Sequence, residues 1–479
     1  MKKTILTLGI CAGMALSSCS DFLDKTPTTA LPADEAVTSV FALQNAVNGI
    51  GYLLSEDRMT YSAEFAIYAD LRGNDFKIVR SFGQSTPLIQ YTIDRNGELP
   101  AIAYEMFYKA LTNVNNALAS IEDGKVEATL ESDQKKVKLL HGQLLAWRGL
   151  LHFDLARMFC AIPTTVADMN AANSGLVLSD KVFPSDYKGT RSTLAETYKL
   201  IVDDLTASLD YLDKNQKPSA STGALNYWAA LALRARAYLY MGQNDKALAD
   251  AEKVITESPY SLYTKEEYAE VWGKAYTRES LFELTITLNH NTQRNSCGYY
   301  CDADGYPECG FNTTGELYTY LVAHPEDCRS QLIKDQSDAK SYDYPGFYPA
   351  KYPGRDNSIY VNNPKIIRLS EVYLIAAEAA VKTGDAAKAA GYINTLRQNR
   401  IDGYADVASV TIDDVLWEYR VELFCENQST FCYWRNKKSV HVDQASGEKD
   451  INYDDYRTIL PIPQREIDYN SGVKQNPDY

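Results

Sequence analysis

The chain has 479 residues and a formal net charge of −15. This length allows one to three domains with a large core, and the charge repels nucleic acid and anionic membrane surfaces. The 35 tyrosines combine a wide apolar face with a hydroxyl, which suits both helix packing and an amphipathic binding surface. We therefore expect no nucleic-acid partner, and a neutral ligand fits the overall charge better than a polyanion.

The N-terminus carries a targeting signal. Two lysines precede the apolar run of residues 5–16, which is too short to span a bilayer and is typical of a secretory signal peptide at residues 1–18. Leu16–Cys19 matches the cleavage pattern of a bacterial lipoprotein. Diacylation of Cys19 would give stable membrane attachment, since one acyl chain binds only marginally. The alternative is an ordinary signal in which Cys19 is incidental.

The first half of the mature chain alternates between helical and irregular segments. Residues 20–32 are interpreted as a tether, and Asp34 is predicted to begin a helix that runs through Ala46. Residues 58–94 are predicted to be irregular because Gly and Pro interrupt them. Apolar residues at three- and four-residue spacing predict helices that begin near Pro100 and at residues 137 and 194, the last two ending near residues 159 and 212.

Residues 368–400 show the clearest pattern in the chain. One apolar stripe recurs at helical spacing up to Ala380, and a second begins at Ala386. Gly384 breaks the pattern between them, and Asp385 can cap the second helix. Because many stripe positions are alanine, the two helices are expected to pack closely as an antiparallel hairpin.

This hairpin pattern occurs twice. Residues 226–255 place Ala235, Gly242 and Ala247 at the same mutual offsets as Ala377, Gly384 and Ala389. With the helix pairs predicted at residues 101–159 and 194–240, the pattern indicates a mostly α fold. Its scaffold would be four tetratricopeptide-like helix pairs separated by long insertions.

The largest insertion covers residues 276–363. Residues 282–286 are predicted to form a short strand, and many Tyr residues follow among Gly and Pro. Aromatic side chains on loops that are fixed to a rigid body are typical of binding sites. The alternative is that these rings form a satellite core beneath the loops.

Four cysteines lie in or near this insertion: Cys297, Cys301, Cys309 and Cys328. A zinc site with His290 or His324 is conceivable, but the spacings differ from the paired short spacings of such sites. Disulfide bonds are favoured for an exported chain. Cys425 and Cys432 are expected in or beside a helix and reduced.

The C-terminal third resembles the SusD/RagB family of surface lipoproteins. Residues 368–400 resemble its helical hairpin, and Leu416–Leu423 with Glu426 resemble its next conserved helix. Further matches are Leu460–Pro463, Glu466, Ile467, Asn470, Gln475–Tyr479, and in the first half Ala146–Arg148, Phe153–Leu155 and Pro163. Together with Cys19 these segments span nearly the whole mature chain.

The resemblance implies a SusD-like α-α superhelix over residues 19–479. Its parts would be an N-terminal portion (33–275), a loop-rich ligand-side insertion (276–363) and a C-terminal portion (364–479). It also implies a protein lipid-anchored to the outer membrane and facing outward. Such a protein captures oligosaccharides and delivers them to a SusC-type TonB-dependent transporter, with no cofactor.

Three rivals to this function remain open. Some relatives import peptides, so a RagB-like peptide-binding protein is the main alternative, and a purely structural transporter subunit is another. Catalysis is not expected, because no G-x-S-x-G, H-E-x-x-H or phosphate-binding loop is present and the five histidines form no motif.

Ligand contacts in this family come from the irregular segment before the first helix pair and from the loops of the large insertion. By region and residue type, the predicted contacts are Arg72, Asn74, Asp75, Arg80, Tyr91, Tyr299, Tyr300, Tyr306 and Phe347. An alternative for Asp75 and Arg80 is a surface ion pair with each other. No metal site is predicted.

Overall fold

The computed structural model describes residues 37–215 and 223–479. The predicted signal peptide, Cys19, the tether and Asp34 lie outside these residues. No helix in the described part of the chain is both long and apolar enough to cross a membrane.

Helices dominate the described chain. In order they are α1 (Val40–Leu53), α2 (Tyr68–Leu71), α3 (Thr86–Ile89), α4 (Glu98–Glu122), α5 (Glu131–Phe159), α6 (Leu194–Tyr211), α7 (Tyr227–Tyr240), α8 (Asn244–Glu257), α9 (Cys297–Tyr300), α10 (Glu316–Ala323), α11 (Leu369–Lys382), α12 (Ala386–Gln398), α13 (Ile412–Glu422), α14 (Ser429–Arg435) and α15 (Gln464–Tyr469).

The strands are short and pair two by two, always antiparallel. They are β1 (Phe76–Lys77) with β3 (Gly310–Phe311), β2 (Ser280–Glu283) with β6 (Lys365–Arg368), β4 (Ile333–Gln336) with β5 (Gly346–Pro349), and β7 (Val440–His441) with β8 (Asp450–Ile451). The first pair joins the segment before the long helices to the large insertion.

The long helices pack in sequence. Helix α4 contacts α5, and contacts continue through α6, α7 and α8 to α11, which packs on α12 and α13. This arrangement is the predicted mostly α scaffold of helix pairs. The two predicted hairpins end their first helices alike, with Gly242 at φ +69° and Gly384 at φ +89°. The Asp385 side chain accepts from the Lys388 N–H, as predicted for a cap.

Buried ion pairs connect the scaffold to the C-terminal helices. Glu422 at the end of α13 contacts Arg329, Arg368 and Arg400, and all four side chains are almost fully buried. Burial opposes the charge on Glu422, but the three guanidinium groups outweigh it and hold the pKa of its carboxyl well below the usual value. Losing one partner would leave an uncompensated buried charge.

Several predicted boundaries are wrong. Helix α5 begins at Glu131 rather than at residue 137. Helix α1 begins at Val40 because the Ser39 side chain caps it by accepting from the Ala42 N–H, and it continues seven residues past Ala46 to Leu53. The predicted strand at residues 282–286 is instead Ser280–Glu283, since its partner β6 pairs only there.

The predicted disulfide bonds are absent from the structure. The four insertion cysteines are free thiols buried in the core. The Cys297 thiol, for example, donates to the Ala63 carbonyl at 3.0 Å. Cys425, just after α13, and Cys432, within α14, are also free, as predicted.

Candidate functional site

Five aromatic side chains from separate segments form a partly exposed surface, which we call the aromatic patch. Neighbouring ring centroids lie 5.6 Å apart for Tyr344 and Phe82, 4.7 Å for Phe82 and Tyr306, 5.0 Å for Tyr306 and Tyr299, and 5.6 Å for Tyr299 and Tyr360. Phe82 is 39% exposed, and the other four rings are partly exposed. The patch is therefore a continuous row with Tyr344 and Tyr360 at its ends.

A buried carboxylate holds Phe82 in place. Glu308 is fully buried, and its Oε1 accepts from the backbone N–H groups of Phe82 at 2.5 Å and Gln84 at 3.1 Å. Its Oε2 accepts from the Ser85 N–H. One side chain of the insertion thus fixes the loop that carries Phe82, and charged acceptors make stronger hydrogen bonds than neutral ones.

The turn between Tyr299 and Tyr306 is equally fixed. Tyr306 donates its N–H to the Tyr299 carbonyl at 2.9 Å, and the Ser296 side chain caps the short helix α9. A Cβ at Gly305 would clash with the Tyr299 carbonyl oxygen, so the close approach of the two tyrosines requires glycine there.

Two exposed arginines border the patch. The Tyr306 hydroxyl raises the pKa of the exposed Arg294 guanidinium, followed by the Tyr299 and Tyr360 phenols. Arg80 is two residues before Phe82, and its N–H donates to the Pro307 carbonyl at 3.3 Å. Neither arginine has a carboxylate partner within the described residues, so both retain free donor groups.

This arrangement suits ligands with flat apolar faces and hydroxyl groups. Exposed ring faces can cover the C–H face of a sugar, while phenol and guanidinium groups can hydrogen-bond to hydroxyls. The described residues contain no group of three or more His, Cys, Asp or Glu side chains that could hold a metal ion.

Three of the predicted contact residues lie at or near the patch, and a fourth, Phe347, makes no ring contact with it. Tyr299 and Tyr306 belong to it, and Arg80 lies on its border. Phe347 is partly exposed but packs against Tyr318, with ring centroids 5.3 Å apart, and makes no ring contact with the patch. All four remain predictions as ligand contacts.

Arg72 and Tyr91 are wrong as ligand contacts, because both are buried at 1% and 7% exposure. The Arg72 guanidinium lies over the rings of Tyr68, Tyr91 and Trp434, with centroid distances of 5.0, 4.6 and 5.4 Å. The Tyr91 hydroxyl donates to the Arg72 carbonyl, and burial raises the pKa of Tyr91 to about 12. These residues stabilise the core behind the site.

Tyr300 is also wrong as a ligand contact. It is fully buried, and its hydroxyl donates to Glu64 Oε1 at 3.2 Å. Within helix α9, Tyr300 faces the core while its neighbour Tyr299 is partly exposed at the patch. Alternate exposure of adjacent tyrosines could not be read from a four-residue helix.

Asn74 and Asp75 line a different cavity of about 350 Å³, next to α13, α14 and β7. The Asp75 carboxylate accepts from Arg420 Nε and Nη2 at 2.7 and 2.6 Å, so its ion-pair partner is Arg420 rather than Arg80. Asn74 exchanges two hydrogen bonds with Asp443. Asp75 thus connects the segment before the scaffold to α13, and Asn74 connects it to the loop between β7 and β8.

Sequence reasoning missed several residues that build the patch. They are Phe82, Arg294, Glu308 and Tyr360; Tyr344 was noted only among the tyrosines of the insertion. The available signal was the aromatic residue Phe82, which lies in the Gly-containing irregular segment where ligand contacts are predicted. The position of Glu308 has no sequence signal, because it depends on a contact across more than 200 residues.

Comparison with known proteins identifies relatives along the whole described chain. A family model described as "SusD family" matches residues 210–479, and one described as "Starch-binding associating with outer membrane" matches residues 21–239. No curated protein matches the chain.

Solved structures share the fold. A SusD superfamily protein from Bacteroides thetaiotaomicron is 32% identical with a TM-score of 0.82, covering 92% of this chain and all of that one. A SusD superfamily protein from Bacteroides vulgatus is 28% identical with a TM-score of 0.82, and the match covers 92% of this chain and 99% of that one. Surface glycan-binding protein A from Bacteroides uniformis is 20% identical with a TM-score of 0.72, and the match covers 91% of this chain and 98% of that one.

Proposed function

Because the chain belongs to the SusD family, whose members bind carbohydrate, we propose that it binds oligosaccharides through the aromatic patch at the cell surface. The observation that carries this proposal is the row of five partly exposed rings, contributed by two distant segments and fixed by Glu308. The similarity in fold to a surface glycan-binding protein of Bacteroides uniformis is consistent with it.

The affinity of such a site for an oligosaccharide is expected to be low, because each ring–sugar contact buries little area. A ring that covers one sugar face buries roughly 50–100 Å², which is worth about 1–2.5 kcal/mol at about 25 cal/mol per Å². Two or three such contacts, less the cost of association, give an affinity in the micromolar to millimolar range. A weakly held oligosaccharide can be passed on unchanged.

The proposal extends to anchoring and delivery. Cys19 carries the lipid, and the protein hands its cargo to a SusC-type TonB-dependent transporter in the outer membrane. The lipoprotein cleavage pattern before Cys19 supports the anchor. Metabolic labelling with palmitate tests it: we expect label on the wild-type protein and none on Cys19→Ala, while equal labelling of both contradicts the anchor.

A direct experiment separates sugar from peptide cargo. The purified protein is titrated against an oligosaccharide array and, in parallel, a pool of random peptides. We expect binding to oligosaccharides only. Binding to peptides alone contradicts the proposal and favours the RagB-like alternative, and binding to neither favours a structural transporter subunit.

A further inference from the structure

A cavity of about 670 Å³ lies between α1 and α5, beside the segment that follows β2. Its volume is within the range of small-ligand sites. One face of each helix lines it, together with residues 223–224 and parts of the segment 284–290. None of the described residues that line it is Asp or Glu, and none belongs to the aromatic patch.

Two hydrogen-bond donors in the cavity wall have no partner. Gln143 and Trp147 are four residues apart on α5, so their side chains lie on the same helix face. They are only 4% and 3% exposed. Within the described residues, neither the Gln143 side-chain amide nor the Trp147 indole N–H makes a hydrogen bond, although both side chains line the cavity. Because buried polar groups are nearly always paired, these donors indicate a ligand that accepts from them.

The walls of the cavity are held by contacts within the protein. The Trp147 ring packs edge-on against Phe282, with ring centroids 5.3 Å apart. At the α1 side, Tyr52 stacks on His290, whose Nε2 donates to the Tyr52 carbonyl at 2.8 Å. The His290 N–H in turn donates to the Thr287 carbonyl at 3.2 Å. The cavity is therefore formed before any ligand enters it.

We propose that this cavity is a saccharide site separate from the aromatic patch and that it takes an N-acetylated sugar unit. The proposal rests on the proposed function and adds a second site to it. The carbonyl oxygen of an acetamido group has two lone pairs, so it can accept from both Gln143 and Trp147. Its methyl group finds apolar partners among the lining side chains Val47, Leu139 and Leu284.

A charged group at the cavity does not alter this choice. Lys136 also lines the cavity, but it is partly exposed, so water screens its charge. It lies seven residues before Gln143, which is about 10 Å along the helix axis. Lys136 is therefore placed to donate to a hydroxyl group at the far end of the ligand.

The test follows the indole N–H signals of the five tryptophans by NMR. The variant Trp147→Phe identifies the Trp147 signal, because it lacks that signal alone. Methyl glycosides of N-acetylglucosamine or N-acetylgalactosamine should shift the Trp147 signal, and methyl glucoside and methyl galactoside should bind about tenfold more weakly. No shift with any of them means that only water occupies the cavity, and it overturns the inference. Equal binding of the acetamido and hydroxyl sugars, or tighter binding of methyl glucuronide, also overturns it.

A variant of Gln143 assigns the effect to the cavity. Gln143→Met keeps the length of the side chain and removes the amide. Because that amide has no partner among the described residues, the fold should stay at least as stable, while binding of the acetamido sugars should weaken about tenfold. Gln134→Met is the matched control, since Gln134 is exposed on the same helix outside the cavity. Unchanged binding by Gln143→Met overturns the inference.

The remaining comparisons separate the cavity from other ligands and from the patch. N-acetylalaninamide carries an acetamido group without a sugar ring, and binding as tight as that of the glycosides would overturn the assignment to a sugar. The Trp147 shift should persist in Tyr299→Ala/Tyr306→Ala, and its loss would contradict a separate site. If the Trp147 signal does not respond while oligosaccharides bind the protein, the inference is overturned and the proposed function stands. If no saccharide binds, both are overturned.

Discussion

Glu308 Oε1 accepts a hydrogen bond from the Phe82 backbone N–H at 2.5 Å, although 225 residues separate the two positions along the chain. The same carboxylate accepts from Gln84 and Ser85. The insertion and the segment before the scaffold are thus joined at the centre of the aromatic patch, where Phe82 meets Tyr306.

Replacing this carboxylate should loosen the patch without removing a ring. Glu308→Gln keeps one oxygen as an acceptor but replaces the other with an NH₂ group, which cannot accept from a backbone N–H. Each hydrogen bond to a charged group that is lost in this way is worth about 1.5–3 kcal/mol. We expect faster amide hydrogen exchange at residues 82–85 and weaker oligosaccharide binding, with the helices unaffected. Unchanged exchange at these amides would contradict the assigned role of Glu308.

Two glycines of one hairpin should respond oppositely to alanine. Gly384 adopts φ +89°, so Gly384→Ala should lower the free energy of unfolding by about 1–2 kcal/mol. Gly391 lies within α12 with open space around it, so Gly391→Ala should raise that free energy by about 0.5–1 kcal/mol. Denaturant unfolding measures both; the same sign for both would contradict the assigned turn.

His152 should make the protein less stable in mild acid. Its Nε2 accepts from the Ser179 N–H at 3.2 Å, so Nδ1 carries the proton and donates to the Arg148 carbonyl at 2.9 Å. Burial lowers the pKa of His152 to about 4. The ring is therefore neutral in the folded state, while an unfolded histidine takes up a proton near pH 6.5.

The sign of the pH effect follows from this difference. The stabilisation is complete above about pH 6.5 and is lost as the pH falls toward 4, by up to about 3 kcal/mol. Unfolding measured between pH 7 and 4 should show this loss in the wild type and a smaller slope in His152→Gln. Equal slopes in the two proteins would contradict the neutral, buried ring.

The scaffold was predictable from sequence because its signals are local. Gly384 and Asp385 define a turn and a cap by their own conformational preferences, and alanine spacing defines the faces that pack. The family resemblance added the arrangement of the helix pairs. These features depend on residues within one or two helical turns.

The site was only partly predictable because burial in the loops depends on distant partners. Arg72 lies inside a cage of rings that includes Trp434, and Asp75 pairs with Arg420, so neither faces a ligand. The predicted export of the chain favoured disulfide bonds, but the four insertion cysteines are free thiols buried in the core. Residue type identified Tyr299 and Tyr306, whereas Glu308 and Arg294 required the structure.

The most direct test of the account is calorimetric titration of the tightest oligosaccharide from the array into three proteins. These are the wild type, the Tyr299→Ala/Tyr306→Ala variant, and Tyr187→Ala as an exposed aromatic control outside the patch. Each lost ring contact should cost about 1–2.5 kcal/mol. We expect much weaker or no binding by the double variant and unchanged binding by Tyr187→Ala; wild-type affinity in the double variant would contradict oligosaccharide binding through the patch.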